Sequence, residues 1–179
     1  MNLRPWKKLK QLKKINNNWW TYILDEVELP NGSKGEYHYV HTNGSSLVIP
    51  VFDDEKILMV KQFRYLAEKV SLEFPCGSIK DGSTYEETAR HELAEEAGFE
   101  TKDLNLMGSF NPYNGVTDEM CNVYIARNLK SVNVPHDDTE EFERVLLTKS
   151  EIEIKIKSNE IWDGMTLAAW LISKDFLYS

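Results

Sequence analysis

Short apolar runs separated by turn signals dominate this chain, the pattern of a sheet-rich protein rather than a helical bundle. From Ser46 to Phe52 and from Lys56 to Phe63 the stretches LVIPVF and ILMV are continuous instead of alternating, which predicts strands covered on both faces. The turn Asp53-Asp54-Glu55 lies between them. Upstream, Trp19–Leu29 is rich in aromatic and β-branched residues, Pro30-Asn31-Gly32 marks a turn, and Glu36–Thr42 returns, which predicts a hairpin. Residues 1–17 read as an irregular or short helical lead-in. Val70–Phe74 is a further short strand, and Asn105–Phe110 and Met120–Ala126 read as strands around a loop holding Pro112, Asn114 and Gly115. A polar loop from His136 to Glu141 precedes a strand at Phe142–Leu147 and helices at Ser150–Lys157 and Trp162–Ser173. The last helix is strongly apolar. Mixed strands with few helices, no internal repeat and no dividing linker predict an α/β domain.

One stretch, Glu73–Phe99, adds chemistry to this pattern. Gly77 and Gly82 bracket a loop, and Thr84 with Glu87, or Ser83 with Glu86, fits a helix-starting capping box. Gly98 supplies the helix stop. Between start and stop, Glu92 lies one helical turn from both Glu95 and Glu96. Like charges at that spacing cost roughly 0.2–0.5 kcal/mol per pair. A divalent cation turns the repulsion into a site, since hard cations prefer carboxylate oxygens. Alone, E-x-x-E-E reads first as a solvated acidic helix face; the loop, capped start and terminator around it favour the site.

That run resembles the Nudix box, the signature of the Nudix hydrolases, G-x5-E-x7-R-E-U-x-E-E-x-G-U with U apolar. Gly77 starts it and Glu92-Leu93-Ala94-Glu95-Glu96-Ala97-Gly98-Phe99 ends it, with no gap. Ser83 stands at the first glutamate and His91 at the arginine, the two positions that in the family brace the metal-binding helix. Arg90 is one position early, about 100° around the helix, and is no automatic substitute. His91 reads either as a replacement brace beside Glu92 or as a tolerated polar residue on the helix flank.

The resemblance implies an α/β/α sandwich with a mixed sheet, preceded by an N-terminal β-hairpin or sheet. It extends from about Pro5 to Leu171 through PWKKL, NNWWTYILDEVELPNG, KILMVKQFRY and SLEFPCG, and it is similar to the branch that cleaves ADP-ribose and other nucleoside diphosphate sugars. In that branch residues 1–44 would form a dimerising strand region and 45–179 the hydrolase core, within one structural unit and as a homodimer. Glu92 and Glu96 would bind Mg²⁺, with Mn²⁺ as the alternative, Glu95 would bind a further or shared ion, and the backbone carbonyl of Cys76 would complete the shell. The base would come from the acidic segment around Glu141 or Glu140. Arg64 would contact substrate phosphate or ribose, or else pair with Glu73, which itself would face the substrate. Trp20 would offer a surface to a base, although core packing of at least one of Trp19 and Trp20 is the plainer expectation. Asp118 and Glu119 belong to the loop after the box, where Asn114 replaces a proline of the ADP-ribose pattern and keeps GDP-mannose and UDP-sugars open. The implied activity is Mg²⁺-dependent cleavage of the diphosphate to a nucleoside monophosphate and a sugar phosphate. The alternatives are another Nudix reaction or a nucleotide-binding module without turnover.

Composition narrows the rest. With 179 residues and 41 % hydrophobic content the chain supports one ordinary core. A net charge of −8 argues against a nucleic-acid binder. Cys76 and Cys121 form no C-x-x-C pair, so neither a disulfide scaffold nor a structural zinc site is expected. The basic N-terminus lacks a signal-peptide core, and no run reaches the ~18–20 apolar residues of a membrane helix, so a soluble cytoplasmic protein is expected.

Overall fold

A computed structural model describes residues 3–134 and 141–177. They divide into two compact units, one holding the chain up to Asn43 with Asn111–Glu119, the other Gly44–Phe110 with the chain from Met120 onward.

The smaller unit is an antiparallel sheet of β1 (Lys7–Asn16), β2 (Thr21–Glu28) and β3 (Lys34–His41), in that order. β2 alternates, burying Ile23, Asp25 and Val27, as a strand with one covered face should. The turn expected at Pro30-Asn31-Gly32 is present, with Gly32 at φ +85° and its N–H donating to the Leu29 carbonyl at 2.9 Å. β1 corrects the irregular or helical lead-in expected from the sequence. All of its positions are exposed, so no burial period marks it as a strand. Cross-strand charge holds it: Lys8 Nζ lies 2.8 Å from buried Asp25, and Lys7 Nζ lies 3.0 Å from Glu28. The segment Asn111–Glu119 joins this unit through β3. Val40 N–H donates to the Val116 carbonyl at 2.9 Å, and His41 Nδ1 lies 2.7 Å from Asp118 Oδ2.

The larger unit carries β4 (Ser45–Pro50), β5 (Ile57–Arg64), β6 (Lys69–Glu73), β7 (Cys76–Ser78), helix α1 (Tyr85–Glu92), β8 (Phe99–Glu100), β9 (Asp103–Phe110), β10 (Cys121–Arg127), β11 (Lys130–Ser131), β12 (Glu143–Leu147), α2 (Lys149–Lys157) and α3 (Gly164–Ser173). One sheet runs β7-β4-β10-β9 and another β12-β5-β6, with a small β11-β8 ladder. β4 and β10 are parallel and the remaining pairs antiparallel, so the sheet is mixed. Every residue of β4 is buried, as are Ile57–Val60 of β5, in line with the apolar runs that begin at Leu47 and Ile57.

The alternation of side chains along β4 then decides which helix covers which face. Leu47 and Ile49 pack in one cluster with Ile57, Met59 and Phe74, closed by Ile152 of α2 and Ala169 and Trp170 of α3. Val48 faces the other way, into a cluster with Leu58, Val60 and Tyr124, closed by Ala89, Leu93 and Ala97. Helices therefore cover both sides of the sheet. No described helix is long and apolar enough to cross a membrane.

Candidate active site

The helix that carries the glutamates is fixed at both ends. Thr84 takes an extended conformation, its hydroxyl accepts from Glu87 N–H at 3.2 Å, and Glu87 Oε2 accepts from Thr84 N–H at 2.8 Å. Of the two boxes open in the sequence, Thr84–Glu87 is the one formed, with Ser83 outside it donating its N–H to the Lys80 carbonyl at 3.0 Å. The Thr84 N–H, then the Thr84 hydroxyl, hold the Glu87 carboxyl below its ordinary range. Thr84→Ala is expected to lower stability by about 1 kcal/mol, read as a fall in thermal midpoint. A depressed carboxylate contributes its stability above its unfolded value and loses it as pH falls through the lower folded value. The gap between wild type and Thr84→Ala should therefore narrow on acidification.

After Glu92 the helix widens into a π turn over Leu93–Ala97, which carries Glu95 and Glu96. Such turns are rare and concentrate at functional sites. Gly98 ends it at φ +81°, its N–H donating to the Ala94 carbonyl at 3.1 Å. Arg144 of β12 closes this end, its Nε donating to the Glu96 carbonyl at 2.8 Å. A Cβ on Gly98 would come within 2.7 Å of the Arg144 guanidinium, so a side chain here would displace that group besides straining a backbone at positive φ. Sequence reasoning missed Arg144. It meets the helix from a distant strand and leaves no local spacing signal.

Between these ends the carboxylates meet the glycine loop. Glu96 retains 5 % of its exposure, and its Oε2 accepts from Cys76 N–H at 3.1 Å. A Cβ on Gly77 would lie 2.0 Å from Glu92 Oε1, so that carboxylate rests where a side chain would otherwise be. Donor atoms of His91, Glu92 and Glu95 all lie within 4.8 Å of one another. His91 Nδ1 sits 3.0 Å from Glu95 Oε2 and 3.7 Å from Glu92 Oε1, facing the glutamates rather than idling on the flank. Arg90 is committed elsewhere, to Glu86 at 2.8 Å and to the Thr101 carbonyl. Converging carboxylates beside a glycine that leaves room for Glu92 suit a hard divalent cation. Hydrogen bonding with Cys121, and then burial, push the Cys76 thiol well above the ordinary range.

Arg64 and Glu73, for which the sequence allows either substrate contact or an ion pair, form the pair. Arg64 Nε donates to Glu73 Oε1 at 2.8 Å and Nη2 meets Oε2, a bidentate fork on a buried carboxylate. That hydrogen bonding raises the Arg64 guanidinium above its ordinary value. The Arg64 side chain still keeps 46 % of its exposure.

In the smaller unit, Trp19 and Trp20 are 79 % and 45 % exposed. This corrects the expectation that at least one packs in a core: the backbone N–H groups of both donate to the Asn17 side-chain oxygen in a surface turn, at 2.8 Å each. Asp118 accepts from Thr42 N–H at 3.2 Å besides pairing with His41, and Glu119 N–H donates to Thr117 Oγ1 at 3.4 Å. Glu141 is exposed just ahead of β12, and Glu140 lies outside the described residues.

Comparison with known proteins points the same way as this geometry. A family model for the NUDIX domain matches residues 42–168. The chain is 35 % identical over 148 residues to an ADP-ribose pyrophosphatase of Bacillus subtilis (strain 168), covering 82 % of this chain and 80 % of that protein. It is 36 % identical over 148 residues to a methanol dehydrogenase activator of Bacillus methanolicus, with coverage of 82 % and 80 %. Among solved structures, one described as an ADP compounds hydrolase superposes with a TM-score of 0.85 at 19 % identity, covering 99 % of this chain and 96 % of that one.

Proposed function

We propose, from the premise that this chain belongs to the NUDIX domain family and is one of its pyrophosphohydrolases, that it splits the diphosphate bond of an ADP-sugar, ADP-ribose first. The products would be AMP and the sugar phosphate, formed by a cytoplasmic enzyme. The observation that carries this reading is the meeting of Glu92 and buried Glu96 with the loop at Gly77 and Cys76, with Glu95 beside Glu92. Those glutamates would hold Mg²⁺, or Mn²⁺ in its place. When bound, the ion supplies charge neutralisation on the diphosphate oxygens and a more acidic water.

The chain's own residues then have separate tasks. Glu96, tied to Cys76 N–H, keeps the loop registered against the helix. Arg64, oriented by Glu73, presents a fixed guanidinium edge to a phosphate or ribose. Glu141 is the first choice for accepting the proton of the attacking water, ahead of Glu140 and Glu95, because carboxylates in exposed segments can approach a bound substrate. Trp20, Asp118 and Glu119 are proposed as substrate contacts on the resemblance to the branch alone. A homodimer through residues 1–44 belongs to it as well, supported by Trp6, Leu9, Leu12 and Ile15 lying exposed along and beside β1.

The test is product formation from ADP-ribose, GDP-mannose and UDP-glucose, each with and without Mg²⁺. Metal-dependent release of AMP from ADP-ribose, faster than monophosphate release from the other two, is the expected result. All three remaining intact with both Mg²⁺ and Mn²⁺ would overturn the reading. Preference for GDP-mannose or UDP-glucose would replace the sugar and keep the reaction.

A further inference from the structure

We propose that the His91 imidazole is a ligand of the same divalent cation as Glu92 and Glu95, giving this site a nitrogen donor and a preference for transition ions over Mg²⁺. The inference rests on the hydrolase reading and deepens it by naming the class of cation. An arginine at this position could only donate hydrogen bonds, because a guanidinium has no lone pair to give. A neutral imidazole has one, and Nδ1 is the nitrogen that faces the carboxylates.

The distances fit shared coordination. Neighbouring donors on a cation bound at about 2.1 Å lie roughly 3.0–3.4 Å apart in octahedral or tetrahedral arrangements. His91 Nδ1 stands 3.0 Å from Glu95 Oε2 and 3.7 Å from Glu92 Oε1, which brackets that range before any ion draws the groups together. The three residues come from one continuous helical segment. His91 and Glu95 are one turn apart and Glu92 is next to His91, so no distant element has to move to close the set. The His91 side chain keeps 52 % of its exposure, which leaves an approach from solvent. Imidazole suits later first-row ions, whereas Mg²⁺ takes oxygen ligands and gives up water reluctantly. Adding one nitrogen to a carboxylate pair therefore raises Mn²⁺ and Co²⁺ affinity more than Mg²⁺ affinity.

The test uses the full chain as wild type, His91→Gln and His91→Arg, titrated calorimetrically with Mg²⁺, Mn²⁺ and Co²⁺. Pulsed electron paramagnetic resonance on the Mn²⁺ complexes reads nitrogen directly coordinated to the ion. The expected result is nitrogen coupling in wild type that vanishes in both variants, with the Co²⁺-to-Mg²⁺ affinity ratio falling by about 10-fold or more. Mn²⁺ bound without nitrogen coupling in wild type, or an unchanged ratio in His91→Gln, would overturn the proposal and leave His91 as a positioning residue for Glu95. The hydrolase reading would survive that outcome if ADP-ribose is still cleaved with Mg²⁺. No binding of any of the three ions would remove the carboxylate site and both readings together.

Discussion

Glu96→Gln is expected to lower turnover by at least about 100-fold with the fold intact, a loss of about 2.7 kcal/mol of transition-state stabilisation. Glutamine matches the volume of glutamate, and its amide oxygen can keep the bond that Cys76 N–H now makes to Oε2 at 3.1 Å. The Leu93 and Ala97 packing on either side, and the Arg144 bond to the Glu96 carbonyl, do not involve the substituted atoms. What disappears is the negative charge. Steady-state kinetics beside a thermal melt separate the two effects. A near-normal rate would remove Glu96 from the site, and a collapsed melt would make its role structural.

Gly77→Ala should be comparably damaging to activity, for a different reason. The new Cβ would occupy a point 2.0 Å from Glu92 Oε1 and 2.3 Å from its carboxyl carbon. Backbone strain does not enter, since Gly77 is not among the residues with positive φ. Only the end of a flexible side chain is in the way, so Glu92 can swing out at small cost to stability. The swing moves a proposed ligand off the cluster. Turnover should fall by about 100-fold or more, with divalent-cation affinity falling in parallel and the thermal midpoint shifting little. Wild-type cation affinity in Gly77→Ala would show that Glu92 does not need the room that Gly77 leaves.

Glu96 and Gly77 are both legible in the amino-acid sequence, because the residues of the box lie close along the chain and their spacing is a property of one helix and one loop. The core strands are legible for a similar reason: the buried residues Leu47–Pro50 of β4 belong to an unbroken apolar run. β1 is not legible. Its lysines and leucines are all exposed, and what makes it a strand is pairing with β2, which no local pattern records. β7, β8 and β11, at two or three residues each, are shorter than any period that could announce them. The arrival of Arg144 depends on tertiary contact, and the widening of the helix after Glu92 has no spacing signal of its own. His91 shows the limit most clearly. Its departure from the box is plain in the sequence, and only the folded chain sets its ring against Glu95.

The parallel pairing of β4 with β10 sets an order in time. Ser45 lies opposite Cys121, and the whole glutamate segment sits in the chain between these two strands. Loop closure over such a distance is an entropic barrier that local contacts cannot lower, and parallel ladders have to cross it before they gain stability. Helix α1 can nucleate early from its capped start, but Ala89, Leu93 and Ala97 find their buried partners Tyr124 and Ala126 only once β10 has docked. Cation affinity should therefore emerge late in refolding, together with the core, and a fragment ending before β10 would carry the motif without the site.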